Sequence, residues 1–134
     1  MDYNYLKSLV PKDKYDTESI PKLMELSEED IQPILPELFF WVGDINLPVA
    51  PDMITVISRF PNSLLPLIKE KLQPLSKDNV FKYFIITELI PVLPSHVQLE
   101  LWPDISRIIN NPTDNEKFSA LNAAKRYSEK LKKQ

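Results

Sequence analysis

Few residues in this chain combine a reactive or ligating side chain with an ordered position. Aspartates recur at Asp44, Asp78 and Asp114, spaced 34 and 36 residues apart. Asn46, Lys82, Tyr83, Glu116 and Trp41 stand close to them in sequence. Gathered about one pocket, Asp44, Asn46, Asp78, Lys82 and Glu116 would supply carboxylates, an amide and an ammonium, the groups that hold a small polar ligand or carry proton transfer. Lys82 follows Asp78 by four residues, the favourable order for an acid and a base on one helix face. The plainer alternative is that the aspartates cap helices, the other polar residues, Tyr83 among them, hydrogen-bond between structural repeats, and Trp41, like Trp102, packs in the core or anchors a partner.

Other chemistry is closed off by composition. The chain has 134 residues with 13 prolines, a single glycine (Gly43), no cysteine and one histidine (His96). A phosphate-binding Gly-rich loop, a dinucleotide fingerprint, a nucleophile elbow and a GxxG clamp for RNA each need at least two glycines at fixed spacing. Without cysteine there are no disulfides, thiol nucleophiles or thiolate metal sites, and a lone histidine cannot form the paired-histidine zinc motif. Ser27-Glu28-Glu29-Asp30 is the densest acidic cluster, but it lacks the Asp-x-Asp-x-Asp-Gly spacing of a calcium loop and reads as a helix start. No metal or cofactor is expected. His96 falls in an exposed first turn, where Ser95 and Gln98 are predicted to form a capping box.

These side chains must be placed by helices. Three segments open with a proline in a helical apolar pattern, at Pro33, Pro66 and Pro103, spaced 33 and 37 apart. Each is followed by one of the three aspartates, which opens a second helical pattern. Two markers that drift together point to a repeat of helix, turn and helix. Pro33, Pro48, Pro51 and Pro66 are expected in first turns, where a missing N–H is no loss. Pro61, Pro74, Pro94 and Pro112 are expected to stop helices, and Pro36, Pro91 and Pro103 to bend them. Gly43 is expected to end a helix in the left-handed conformation.

The predicted fold is all-α, a short right-handed superhelix of about three HEAT- or armadillo-like helix pairs in one domain, residues 1–134. An extended N-terminal segment covers 1–17, helix pairs cover roughly 18–42, 44–72 and 78–109, and a capping helix covers 114–132. Val49, Ala50, Met53, Ile54, Val56, Ile57 and Phe60 form one apolar stripe. The run from Val80 to Ile90 is apolar on most sides and belongs in the interior, with Lys82, Thr87 and Glu88 as its polar residues. The capping helix carries Phe118, Leu121, Ala124 and Leu131 on its inner side, with Lys125, Arg126, Lys130 and Lys132 elsewhere. No run alternates in the manner of a strand.

The segments Trp41-Val-Gly-Asp44-Ile-Asn46-Leu-Pro48-Val-Ala50, Asp78-Asn-Val-Phe-Lys82-Tyr83-Phe84 and Asn111-Pro112-Thr113-Asp114-Asn-Glu116 resemble a family of small bacterial proteins, domain of unknown function 5071. The resemblance runs from the LVPKDKYD segment to the last helix. It implies a HEAT-like helical fold and no particular activity.

Net charge is −3, with −6 over residues 1–60 (11 acids, 5 bases) and +3 over 61–134 (8 acids, 11 bases). The positive excess sits at the end of the chain, where it complements a helix dipole or offers a docking patch to an acidic partner. A pI near 5.2 disfavours nucleic acid. No apolar run approaches the ~20 residues of a membrane span. MDYNYLKS has no basic region followed by an apolar one, so no signal peptide is expected and the cytoplasm is the default compartment. The leading functional expectation is a non-enzymatic protein–protein interaction module with a protein or peptide partner. The alternative is a small-molecule-binding or enzymatic domain built on the polar ridge.

Overall fold

A computed structural model of the chain describes residues 2–133, and among them there are helices and turns but no strand. The all-α class follows the sequence. In order, the helices are α1 (Tyr3–Ser8), α2 (Ile20–Leu23), α3 (Glu28–Ile31), α4 (Leu35–Phe40), α5 (Ala50–Ile57), α6 (Pro61–Leu72), α7 (Asn79–Phe84), α8 (Ser95–Asn110) and α9 (Ala120–Lys132). Short 3-10 turns lie at Gln32–Ile34, Trp41–Gly43, Ile90–Val92 and Glu116–Phe118, and Ile85–Leu89 is a π turn. The chain divides into two compact units, Met1–Leu67 and Ile68–Gln134, with α6 passing from one to the other.

Prolines explain much of this segmentation. Proline has no N–H and its ring clashes with the carbonyl four residues back. Pro33 and Pro36 therefore each sit in the first turn of a new segment, and the helix restarts at Pro36 instead of bending there. Pro91 has no N–H to give the Thr87 carbonyl. The chain widens to π over Ile85–Leu89 and restarts in the 3-10 turn Ile90–Val92. Three further placements differ from expectation: Pro48 lies in the turn before Val49, the N-cap of α5, Pro61 opens α6, and Pro66 lies inside it. Pro103 lies inside α8.

In the first unit the core is organised by α5. Val49, Ala50, Met53, Val56, Ile57 and Phe60 are buried, as the stripe predicts, and α5 packs on α2, α4 and the Trp41–Gly43 turn. Arg59 fixes one edge by donating to the carbonyls of Leu23 at 3.1 Å and Leu26 at 2.8 Å, which lie where α2 ends. Ser27 caps α3, its hydroxyl accepting from Asp30 N–H at 3.2 Å, with Glu28, Glu29 and Asp30 in the first turn.

The N-terminal segment is not extended throughout. Asp2 accepts from the Asn4 amide at 3.1 Å and starts α1, which buries Leu6, with Leu9 buried just beyond. That i, i+3 apolar pair outweighs Tyr3 and Tyr5, which remain exposed. Gly43 is not left-handed either: no described residue has a positive φ. The turn ends instead on an extended Asp44, with φ −146° and ψ 102°.

In the second unit α9 packs on α7, α8 and the π turn. α8 buries Val97, Leu101, Ile105 and Ile108, a regular helical stripe, and α9 buries Ala120, Ala123, Ala124 and Tyr127. Phe118, placed on the inner side of the last helix by the sequence pattern, is 81% exposed. The helix starts at Ala120, so Phe118 lies in the preceding 3-10 turn and out of register with the buried stripe. Asn79 ties the two segments together, donating to Ser119 Oγ at 2.6 Å and accepting from Ala120 N–H at 3.0 Å.

Candidate functional site: a buried charge cluster and an open apolar groove

The aspartates that recur in sequence do three different things. Asp78 caps α7, its carboxylate accepting from Phe81 N–H at 3.0 Å. Asp44 caps no helix. It accepts from Asn46 N–H at 2.9 Å and its carbonyl accepts from Leu47 N–H at 3.1 Å, a turn that an Asx side chain makes on its own backbone. Five residues separate it from α5, and Asn46 is exposed. Asp114 does not open the last helix; its carboxylate is exposed and meets only the ammonium of Lys117, at 3.4 Å. Three aspartates at similar spacing are thus a helix cap, a loop turn and a surface ion pair.

Lys82 and Glu116 come together, in the interior. Both side chains have 0% exposure. Lys82 does not pair with Asp78; it donates to Glu116 Oε2 at 2.7 Å and to the Gln73 carbonyl at 3.0 Å. Arg107, a residue the sequence pattern did not single out, grips the same carboxylate with two nitrogens, at 2.6 Å to Oε1 and 2.7 Å to Oε2. It also donates to the Leu72 carbonyl at 2.8 Å. Glu116 is further held by a capping box: Thr113 N–H donates to Oε1 at 2.9 Å, and Glu116 N–H donates to Thr113 Oγ1 at 3.2 Å. The signal for this box was present in Thr113-x-x-Glu116.

The electrostatics follow from that count of donors. Burial pushes the Glu116 carboxyl up, but the hydrogen bonds from Arg107, Lys82 and Thr113 and the Lys82 charge outweigh it, and the group is held down from 4.5 to about 2. Glu116 stays ionised at neutral pH with both oxygens fully engaged, so it is a poor proton acceptor. Lys82 points inward and donates to Glu116 and to the Gln73 carbonyl. The cluster ties the end of α6 and the residue after it, α7, α8 and the 113–116 turn together, and does not face an open cavity.

Tyr83, the next residue, is half-buried, with its ring edge-on to Phe84 at 5.2 Å between centroids and its carbonyl accepting from Thr87 Oγ1 at 2.9 Å. Trp41 is half-buried in the first unit. It meets the exposed ring of Phe40 edge-on at 6.1 Å, and both line a shallow hollow with Val10, Pro11, Pro36 and Glu37.

The second unit also carries a concavity that the sequence pattern does not single out. It is a half-open groove of about 320 Å³ between α8 and α9, lined from α8 by Ser95, Gln98, Leu99 and Trp102, from α9 by Tyr127, Lys130 and Leu131, and closed by Pro91. Leu99 is 73% exposed, Trp102 37% and Leu131 38%. The floor is fixed by the Tyr127 hydroxyl donating to Gln98 Oε1, while Gln98 Nε2 donates to the Leu93 carbonyl at 2.7 Å. Gln98 therefore serves the groove and not the predicted capping box; Pro94 is the N-cap of α8, without a side-chain bond. Burial pushes the Tyr127 phenol up. The sequence does carry a sign of this groove: Leu99 and Trp102 are apolar but lie off the Val97-Leu101-Ile105-Ile108 stripe.

No helix among the described residues is long and apolar enough to cross a membrane. None of the curated proteins matches the chain. The family model described as Domain of unknown function (DUF5071) matches residues 9–127, nearly the whole length and all the elements from α2 to the middle of α9, and the chain belongs to that family.

Proposed function

We propose that this protein is a non-enzymatic protein–protein interaction module that receives its partner in the groove between α8 and α9. The observation that carries this reading is the exposure of Leu99, Trp102 and Leu131 around a concave surface, on helices whose main apolar stripes, Val97-Leu101-Ile105-Ile108 and Ala120-Ala123-Ala124-Tyr127, are buried. Large apolar side chains grouped at a concavity mark interaction sites far more often than single exposed leucines do. Kinship with HEAT-like repeat proteins belongs to the same proposal; its support is the paired recurrence of proline and aspartate at 33 to 37 residues. The rival reading, a polar ligand or catalytic site on Asp44, Asn46, Asp78, Lys82 and Glu116, loses Lys82 and Glu116 to the interior and Asp78 to a cap.

A photo-reactive phenylalanine analogue placed at Leu99 of the full chain tests the proposal in cells. A discrete cross-linked product with one other protein is expected, with none from the same group at exposed Glu88. The same products from both positions would overturn it.

A further inference from the structure

The groove also states what kind of partner fits it. Its walls are Ser95, Gln98, Leu99 and Trp102 on α8 and Tyr127, Lys130 and Leu131 on α9, two helices that pack against each other. Such a trough takes side chains projecting along one face of a helix at i, i+3 or i+4 and i+7. At about 320 Å³ it holds a few side chains rather than the edge of a folded domain. The Tyr127–Gln98–Leu93 hydrogen-bond chain consumes the polar groups of the floor and fixes its shape, so little ordering is left for the moment of binding.

Charge selects among helices. Among the lining residues Lys130 is the one with a charge, and none is acidic. Along α9 and the residue after it, Lys125, Arg126, Lys130, Lys132 and Lys133 stand against the single acid Glu129, whose carboxylate is 3.6 Å from the Lys132 ammonium. An incoming segment meets a positive field on the α9 side whatever its apolar contacts are.

We infer that the groove binds an acidic amphipathic helix of a partner protein, seating its apolar residues on Leu99, Trp102 and Leu131 and its carboxylates against Lys130. This rests on the interaction reading above and adds the chemistry of the partner.

The probe is a displayed library of helical peptides about four turns long, with a fixed apolar stripe and randomised flanks, selected on the full chain and counter-selected on Leu99→Glu. Because Leu99 is exposed, that variant keeps its fold, which circular dichroism checks. Selected flanks are expected to be enriched in Asp and Glu over Lys and Arg. A recovered peptide is expected to bind Leu99→Glu at least about tenfold more weakly, as for loss of one central anchor. It should bind Lys130→Glu about fivefold more weakly, as for one partly exposed ion pair. Flanks without acidic bias, or binding indifferent to Lys130→Glu, would overturn the acidic partner while leaving the groove as an interaction site. Recovery of no peptide that separates the wild type from Leu99→Glu would overturn both. A Leu99-dependent dimer in sedimentation would assign the groove to a second copy of the chain and likewise overturn the inference.

Discussion

Replacing Glu116 by Gln keeps the shape of the side chain and removes the one negative charge of the Lys82–Glu116–Arg107 cluster. Its carboxyl is held at about 2 against an ordinary 4.5, and a difference of that size corresponds to about 3 kcal/mol in favour of the ionised folded state. Because the folded value is the lower one, this stability is fully present above pH 4.5 and is lost as pH falls from about 4.5 towards 2. Independently, Glu116→Gln strands the Lys82 ammonium at 0% exposure, and an uncompensated buried charge of this kind costs about 3–5 kcal/mol. Against a total of roughly 7–20 kcal/mol for a chain of this length, that is a large share. Lys82→Met should cost less, about 1–3 kcal/mol. Arg107 and Thr113 continue to satisfy Glu116, and the Gln73 carbonyl alone loses its donor. In the double variant the stranded charge is gone, so the two losses should fall well short of additive.

The assay is urea unfolding followed by the fluorescence of Trp102 in a Trp41→Phe background, which makes the second unit the reporter, repeated between pH 2 and 7. Wild type should lose about 3 kcal/mol more than Glu116→Gln across the acid limb. If the two proteins shared one pH profile, or if Lys82→Met cost as much as Glu116→Gln and the two added, Glu116 would not be the counter-ion of a buried lysine and the account of the cluster would fall.

Three further outcomes follow from the same geometry. Asp78→Ala should destabilise by about 1 kcal/mol through loss of the α7 cap, and Asp114→Ala by under about 0.5 kcal/mol because only an exposed ion pair is lost; equal effects in thermal melts would restore the equivalence of the two aspartates. Arg107→Lys should cost about 1–3 kcal/mol despite keeping the charge, since an ammonium cannot span both Glu116 oxygens and the Leu72 carbonyl, and a melting temperature unchanged from wild type would count against the fork. Met53→Ala, at 0% exposure under α5, should cost about 2–5 kcal/mol, whereas Phe118→Ser should leave stability within about 0.5 kcal/mol; denaturant midpoints moved equally by both would contradict the burial pattern.

What was legible in the sequence was whatever repeats at helical period. The Val49–Phe60 stripe, the caps at Ser27 and Asp78 and the interior character of most of the Val80–Ile90 run, Val80 itself being exposed, are local, and local rules find them. The aspartate spacing misled because aspartate serves a helix cap, an Asx turn and a surface pair equally well. Spacing cannot say which neighbour a carboxylate meets. The i, i+4 pairing of Lys82 with Asp78 misleads for a related reason: the partner of Lys82 is a carboxylate 34 residues away, itself held by an arginine nine residues before it.

The residues that escaped the periodic pattern are also the ones that differ most in what they do, and the direction of the departure separates them. Lys82 is a charged residue on a face that should be apolar. It is matched from inside the same unit by Glu116, Arg107 and the Gln73 carbonyl, so its anomaly is resolved within the fold. Leu99 and Trp102 are apolar residues on a face that should be polar. Leu99 stays largely exposed and Trp102 partly so, and they stand at a concavity lined on the far side by Lys130. A polar residue misplaced inward demands an internal partner, because an unpaired buried charge removes a large share of the stability of a domain of this size. An apolar residue misplaced outward costs the isolated fold almost nothing and acquires value only when another surface removes it from water. The first kind of departure therefore explains stability, and the second is where function is to be sought.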